Sequence, residues 1–251
     1  VLARIAGFLY RESDKIVVVT LAFKDHLVEH WGVAPEKISI VQNGVEAETF
    51  RPDRSNIALR KDLDIESKFV VCYIGTMGMA HGLDTVLQAA AQLLDSAPQV
   101  LFLLVGDGAE KEHIISRARE LRLTNLRVID QQPREKIPEY ICASDVCLVL
   151  LKRTPVFETV IPTKMLEFMS CARAIILGVD GQARKIMEEA GAGLFIQPEN
   201  AEELVQAVTR LAENPSLRKT LGNNGRRHIL QNFSRQKTAE TYLQTLEELL
   251  K

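Results

Sequence analysis

The chain has 251 residues, of which 46% are hydrophobic and 25% charged, and its net charge is −2. That is enough apolar material for a full core, in one large domain or two smaller ones. A near-neutral balance supplies no positive field for nucleic acid, so a DNA or RNA partner is not expected. The four cysteines, Cys72, Cys142, Cys147 and Cys171, lie in apolar runs with no CxxC pair. They read as reduced core thiols, which suits the cytoplasm, and the His and Cys spacings match no zinc pattern.

The chain opens on VLARIAGFLY, a helical stretch beginning at Val1 that is too short to span a bilayer and lacks a cleavage site. We read it as a helix cut from a longer protein. KIVVVT (15–20) predicts a strand, 21–31 an amphipathic helix, and ISIVQNG (38–44) a strand ending in a turn at Asn43-Gly44. Residues 46–66 are charged, carry Pro52 and have linker composition, with a short helix at 56–63. A regular series follows. FVVCYIG (69–75), VLFLLVG (100–106), LRVID (126–130), DVCLVLL (145–151), RAIILG (173–178) and AGLFI (192–196) predict strands. They alternate with helices at 82–95, 109–121, 134–142, 162–170, 182–190 and 200–213. Two more helices, 215–231 and 235–250, close the chain.

The strands are unbroken apolar runs, as expected of a parallel sheet covered by helices on both faces. The series from 69 to 213 therefore predicts an α/β fold with a doubly wound parallel sheet, Rossmann-like. Ligands in such sheets lie beyond the strand C-termini, so the strand ends are where chemistry is sought.

The first strand runs into GTMGMAHG. Gly75, Gly78 and Gly82 permit a tight turn or a close approach to phosphate, and the loop has no lysine or arginine, only His81. After the second strand, Gly106 and Gly108 can pass under a ligand, and Asp107 either caps the next helix or faces that ligand. After the third, the 130–138 loop, DQQPREKIP, is either a connector or a holder for a flat ring. The fourth strand is followed by KRTPVFETVIPTKMLEFMS, an unusually long link into a helix. Pro162 suits the first helical position and places the cap on Ile161, which offers no side-chain acceptor. The N–H groups of Thr163 and Lys164 are then free for a phosphate, with the Lys164 charge beside them. Glu167 lies one turn on and shares a face with Lys164; its carboxylate can accept from sugar hydroxyls or simply pair with the lysine. Gly181 opens the next helix.

Taken together, SIVQNGVEAETFRP, YIGTMGMAHGLDTVLQA, LLVGDGAEKE, IPEYICASDVCLVLL, IPTKMLEFMSCARAII and AGAGLFIQPENAEELVQAV resemble the C-terminal half of a GT-B glycosyltransferase of the family-4 retaining group. The order and spacing of the pieces carry the resemblance across essentially the whole chain. It implies that residues 1–42 are the tail end of an acceptor-binding N-terminal domain. Residues 43–230 would be the Rossmann-like donor-binding domain, and 231–251 a helix crossing back. Glu167 matches the glutamate that holds the ribose hydroxyls, and Thr163 and Lys164 the helix start near the diphosphate. The 131–134 loop, with Gln132 and Pro133, matches the segment whose backbone holds the base. Gly75 and Gly78 match the loop packed against the phosphates; Thr76, Gly106 and Asp107 at the neighbouring strand ends are candidate nucleotide-binding residues beside them.

The sequence also departs from that pattern. Thr76 and His81 stand where many relatives carry an arginine and a lysine. Glu158 is one residue out of register with the usual first glutamate, whose place falls on Thr159. The candidate catalytic residues are therefore Lys164, His81 and Glu158. PTKMLEFM with GTMGMAHG resembles a subset from bacterial capsule and O-antigen pathways, some of which transfer N-acetyl-L-fucosamine from UDP donors. The implied partners are a nucleotide-sugar donor, with UDP expected, and a glycan or lipid-linked acceptor, with no resident cofactor or metal. Residence is expected in the cytoplasm, at most peripheral to the inner membrane. A sugar-nucleotide 2-epimerase of the same fold and a non-catalytic nucleotide-binding module are the alternatives. A dehydrogenase is disfavoured because no GxGxxG follows a strand with an acid about twenty residues on.

Overall fold

The structure, a computed structural model, describes residues 1–53 and 56–250; Arg54, Ser55 and Lys251, the first two within the expected linker, lie outside the described residues. A small unit comes first. Helix α1 (Leu2–Glu12) leads to strand β1 (Ile16–Val18), helix α2 (Leu21–Trp31) and strand β2 (Ile38–Ile40). The two strands pair in parallel, and Val18, Leu27, Val33 and Ile38 form the core beneath them. Helix α2 starts where Thr20 accepts from Phe23 N–H and stops at Gly32, whose left-handed backbone favours glycine.

After a linker containing α3 (Ile57–Asp62), the larger unit alternates strand and helix. It runs β3 (Phe69–Ile74), α4 (Asp84–Leu93), β4 (Val100–Val105), α5 (Lys111–Glu120), β5 (Leu126–Ile129), α6 (Ile137–Ala143) and β6 (Val146–Leu150). It continues with α7 (Pro155–Glu158), α8 (Thr163–Ser170), β7 (Ala174–Gly178), α9 (Gln182–Ala190), β8 (Gly193–Phe195) and α10 (Ala201–Glu213). Helices α11 (Pro215–Asn232) and α12 (Arg235–Glu248) follow. The six strands form one parallel sheet in the order β5-β4-β3-β6-β7-β8. This is the predicted doubly wound arrangement, and its order reverses between β3 and β6, which opens a crevice there.

The apolar strands explain the layering. Every residue of β4 and β6 is buried, because helices cover both faces. Cys72 and Cys147 face one core, with Phe168 and Met169 of α8; Tyr73 and Phe102 face the other, with Val86 and Leu87 of α4. All four cysteines are buried. Among the described residues, no helix is long and apolar enough to cross a membrane.

Several local expectations shift. The long link after β6 is not wholly irregular, since Thr154 caps the single turn of α7 by accepting from Phe157 N–H at 3.4 Å. The turn after β5 begins with a 3-10 segment at Arg134–Lys136 before α6. Asp107 does not cap α5, which starts later with Glu110 at its cap. The Asp107 carboxylate instead accepts from Gly108 N–H at 2.7 Å.

Several contacts tie the two units together, among them a bridge at the neck and a hydrogen bond from the start of α2. Val45 bridges Ser234 in parallel, with Val45 N–H donating to Phe233 O at 2.8 Å and Arg235 N–H to Val45 O at 3.0 Å. The Thr20 hydroxyl donates to Thr159 O at 3.1 Å, tying the start of α2 to the loop after α7. Within the larger unit Arg226 of α11 donates to Phe50 O and Ser170 O, each at 2.9 Å, and to Ala47 O at 3.1 Å. Replacing it by methionine removes three hydrogen bonds to carbonyls, of which Phe50 O keeps another donor, the Ser170 hydroxyl. Arg226→Met is therefore expected to lower stability by roughly 2–3 kcal/mol, read from urea unfolding. An unchanged midpoint would mean that water satisfies those carbonyls.

Candidate functional site

The crevice at the switch point holds about 390 Å³ and is lined by the ends of β3, β4 and β5 and the start of α8. Its floor is backbone. Gly75 N–H donates to Val105 O at 2.9 Å, Gly106 N–H to Ile129 O at 3.0 Å and Met77 N–H to Asp107 O at 2.7 Å, which laces the three strand ends together. Gly106 has φ 153°, and a Cβ there would stand 2.0 Å from Gly75 O, so only glycine fits. Gly75 favours glycine through its φ of 138°, and a Cβ there would displace the end of the Lys164 side chain, 2.6 Å away.

Across the crevice α8 begins one residue later than expected. Pro162 itself is the cap, with ψ 121°, and Thr163 is the first helical residue. Proline's fixed φ suits either position, and the extended ψ decides between them. Met165 N–H closes on Pro162 O at 3.0 Å, whereas the N–H groups of Thr163 and Lys164 precede the first possible intrahelical bond. They head the helix dipole without a side-chain cap.

The Lys164 side chain runs back into the crevice. Its ammonium donates to the Tyr73 hydroxyl at 3.0 Å and lies 4.1 Å from the centre of that ring. Burial lowers the Lys164 pKa from its ordinary value to about 8, against the opposing charge of Glu167. Glu167 is itself engaged. Arg134 donates to Glu167 Oε1 at 2.6 Å while its guanidinium stacks 4.8 Å from the Phe50 ring centre. The Glu167 side chain is only 12% exposed and that of Arg134 58%, so the pair forms a wall with the carboxylate inward. His81 is half-buried, and its Nδ1 lies 3.3 Å from Gly78 O. A carbonyl only accepts, so Nδ1 carries the proton and neutral Nε2 offers a lone pair. Burial, and then the Lys164 charge, lower the His81 pKa, so this ring adds no fixed cation.

The structure thus brings together Gly75, Thr76, His81, Gly106, Asp107, Gln132, Thr163, Lys164 and Glu167 around one cavity. Three candidates are not on its wall. Gly78 lies in a small hollow behind the glycine loop, and Pro133 turns the chain between Gln132 and Arg134 without lining the space. Glu158 lines a separate hollow with Arg153, Thr154 and Asp180, because the α7 turn carries it toward Gly181. Tyr73 and Arg134 also belong to the site, and no sequence pattern marks them. Tyr73 reads as strand core and Arg134 as a charged loop residue, and only the fold sets them against Lys164 and Glu167. A wider hollow of about 730 Å³ lies on the small unit among Phe8, Tyr10 and Trp31, away from the large sheet's strand ends.

A family model described as "Glycosyl transferases group 1" matches residues 55–228, and one described as "Glycosyltransferase Family 4" matches residues 1–49. An uncharacterized glycosyltransferase of Methanocaldococcus jannaschii is 22% identical over 251 residues, covering 98% of this chain and 61% of that protein. A D-inositol 3-phosphate glycosyltransferase of Kribbella flavida is 25% identical over 242 residues, covering 92% of this chain and 55% of that one. Among solved structures, Anabaena HepE in complex with UDP-glucose superposes with a TM-score of 0.85 at 20% identity. That match covers 98% of this chain and 67% of HepE. The chain thus spans little more than half the length of these curated relatives. At such identity the structural likeness speaks to the fold.

The buried ammonium has a direct signature. In a lysine-selective NMR titration of the free protein, one ammonium should titrate near pH 8, cationic below and neutral above, and Lys164→Met should abolish that signal. Titration of Lys164 together with the exposed lysines would show its ammonium to be solvated.

Proposed function

The chain belongs to the group 1 glycosyl transferases, whose family model it matches over residues 55–228, and from that premise we propose that it binds a UDP-sugar. On this reading residues 43–230 hold the donor and residues 1–42 end the acceptor-side domain. The helix within 231–251 crosses back between them. The observation that carries the reading is the meeting of the Lys164 ammonium and the free N–H groups of Thr163 and Lys164. They face the bare backbone of Gly75 and Gly106 in one crevice. Such a constellation suits a diphosphate. Glu167 keeps one carboxylate oxygen beside the one that Arg134 holds, and that oxygen can accept from a ribose hydroxyl. The backbone of the 131–134 loop is then left to the base. HepE was crystallised with UDP-glucose, which favours uridine as the first nucleotide to test.

In transfer, the bond between the sugar's anomeric carbon and the β-phosphate oxygen breaks, and the electron pair leaves with UDP. An acceptor hydroxyl forms the new bond and passes its proton to the departing phosphate oxygen, so that the products are the glycoside and UDP. Charge grows on the departing phosphate, where the Lys164 ammonium and the α8 N–H groups stabilise it. The family-4 resemblance supports retention at the anomeric carbon. The pairing of IPTKMLEFM with GTMGMAHG supports a glycan or lipid-linked acceptor in bacterial surface polysaccharide synthesis.

Calorimetric titration with UDP, GDP and ADP tests the donor site. UDP should bind, and Glu167→Ala and Lys164→Ala should each weaken it by roughly tenfold to a hundredfold, as expected for bonds to charged groups. Unchanged affinity in a folded Glu167→Ala protein, or no binding of any nucleotide at millimolar concentration, would remove the site assignment. The diphosphate favours the charged lysine, so binding just above pH 8 should take up a proton. Affinity should then fall as pH rises through the Lys164 value.

A further inference from the structure

Tyr73 is a buried titratable side chain beneath the crevice to which the chemistry above gives no task. Its hydroxyl donates to Thr76 O at 2.6 Å and accepts from Lys164 Nζ at 3.0 Å. A phenol has one proton to give and lone pairs to accept with, so these two bonds fix the direction of the chain. It runs from ammonium to phenol to the carbonyl of the glycine loop. Burial holds the Tyr73 pKa above its ordinary value, which keeps the phenol neutral and able to fill both roles. The far side of the same peptide is also held, by Met77 N–H donating to Asp107 O at 2.7 Å. One side chain therefore sets both the place of the cation and the tilt of the loop opposite it. The His81 ring meets the Tyr73 ring edge-on, 5.9 Å between centres, and closes that side.

We propose that Tyr73 is a positioning residue whose hydroxyl aims the Lys164 ammonium at the space beside Gly75 and locks the Thr76 carbonyl. The lysine and the glycine loop then act as one anion cradle. This rests on the diphosphate reading of the crevice for its functional consequence, but not for its geometry. The charged and titratable groups facing Lys164 are Tyr73 and Cys72 from β3, His81 from the loop and Glu167 from its own helix.

Tyr73→Phe keeps the ring under the ammonium and removes only the hydroxyl. In the ligand-free protein, the NMR titration of Lys164 should move to lower pH, because an acceptor for the charged form is gone. UDP affinity at pH 7.5 should fall by about tenfold, its alkaline limb should move to lower pH, and in the Lys164→Ala background Tyr73→Phe should add little. A folded Tyr73→Phe protein with an unmoved Lys164 titration would reduce Tyr73 to packing, whatever UDP does. A moved titration without UDP binding by the wild type would keep the geometry and overturn the diphosphate reading instead. If the phenylalanine variant does not fold, 3-fluorotyrosine at position 73 keeps the hydroxyl and weakens it as an acceptor. The Lys164 titration must then move in the same direction, and a failure to move overturns the proposal.

Discussion

The Gly75 backbone is pressed between the Lys164 ammonium and the Gly106 backbone. On one side a Cβ would reach Lys164 Nζ at 2.6 Å, and on the other the Gly75 carbonyl would meet any Cβ on Gly106 at 2.0 Å. Much else in the crevice answers to that crowding. The strand ends of β3 and β4 come close enough for their loops to share hydrogen bonds, and the lysine from α8 fills the remaining gap from the far side of the switch point. The cation sits where water is scarce, which lowers its pKa and leaves its charge little screened. A loop without any basic residue thus faces a positive charge delivered from a helix more than eighty residues along the chain.

Much of this was legible in the chain itself. Unbroken apolar runs such as FVVCYI and VLFLLV permit only a sheet covered on both faces, and their alternation with helices dictates a parallel order. The positions of Gly75, Gly106, Thr163, Lys164 and Glu167 then follow from where strands end and helices begin. Long-range side-chain contacts were not legible. Tyr73 has the periodicity of a core residue, and only the tertiary fold shows that its hydroxyl reaches a carbonyl and an ammonium. Arg134 looks like solvated surface until Phe50 and Glu167 are set beneath it. The start of α8 was misplaced by one residue because proline's φ suits both a cap and a first turn, and only ψ separates them. For Asp107 the pattern leaves a cap and a ligand-facing position open; it lines the crevice, and its carboxylate folds back on the next amide, a competing local bond of the kind short acids favour.

The wall formed by Arg134 and Glu167 gives the crevice an uneven character. One rim carries a buried cation with no carboxylate hydrogen-bonded to it. The other carries a carboxylate already satisfied by a more exposed guanidinium. A ligand that is anionic at one end and rich in hydroxyls at the other meets complementary chemistry along its length. It need not break the ion pair, since one carboxylate oxygen remains. Glu158 lies in neither wall, and the turn of α7 that removes it also brings Thr159 O within reach of Thr20.

Val45 and Ser234 lie side by side although nearly the whole larger unit separates them in sequence. The chain enters and leaves that unit through a single neck of two parallel segments, and Gly44 is packed so tightly against Arg235 that a Cβ would come within 2.8 Å of its Cα. Backbone hydrogen bonds from Val45 to Phe233 and Arg235 hold the two segments together. Topologically, this is the geometry of an insertion, in which a folded unit can be spliced into a host at one point because its two ends coincide.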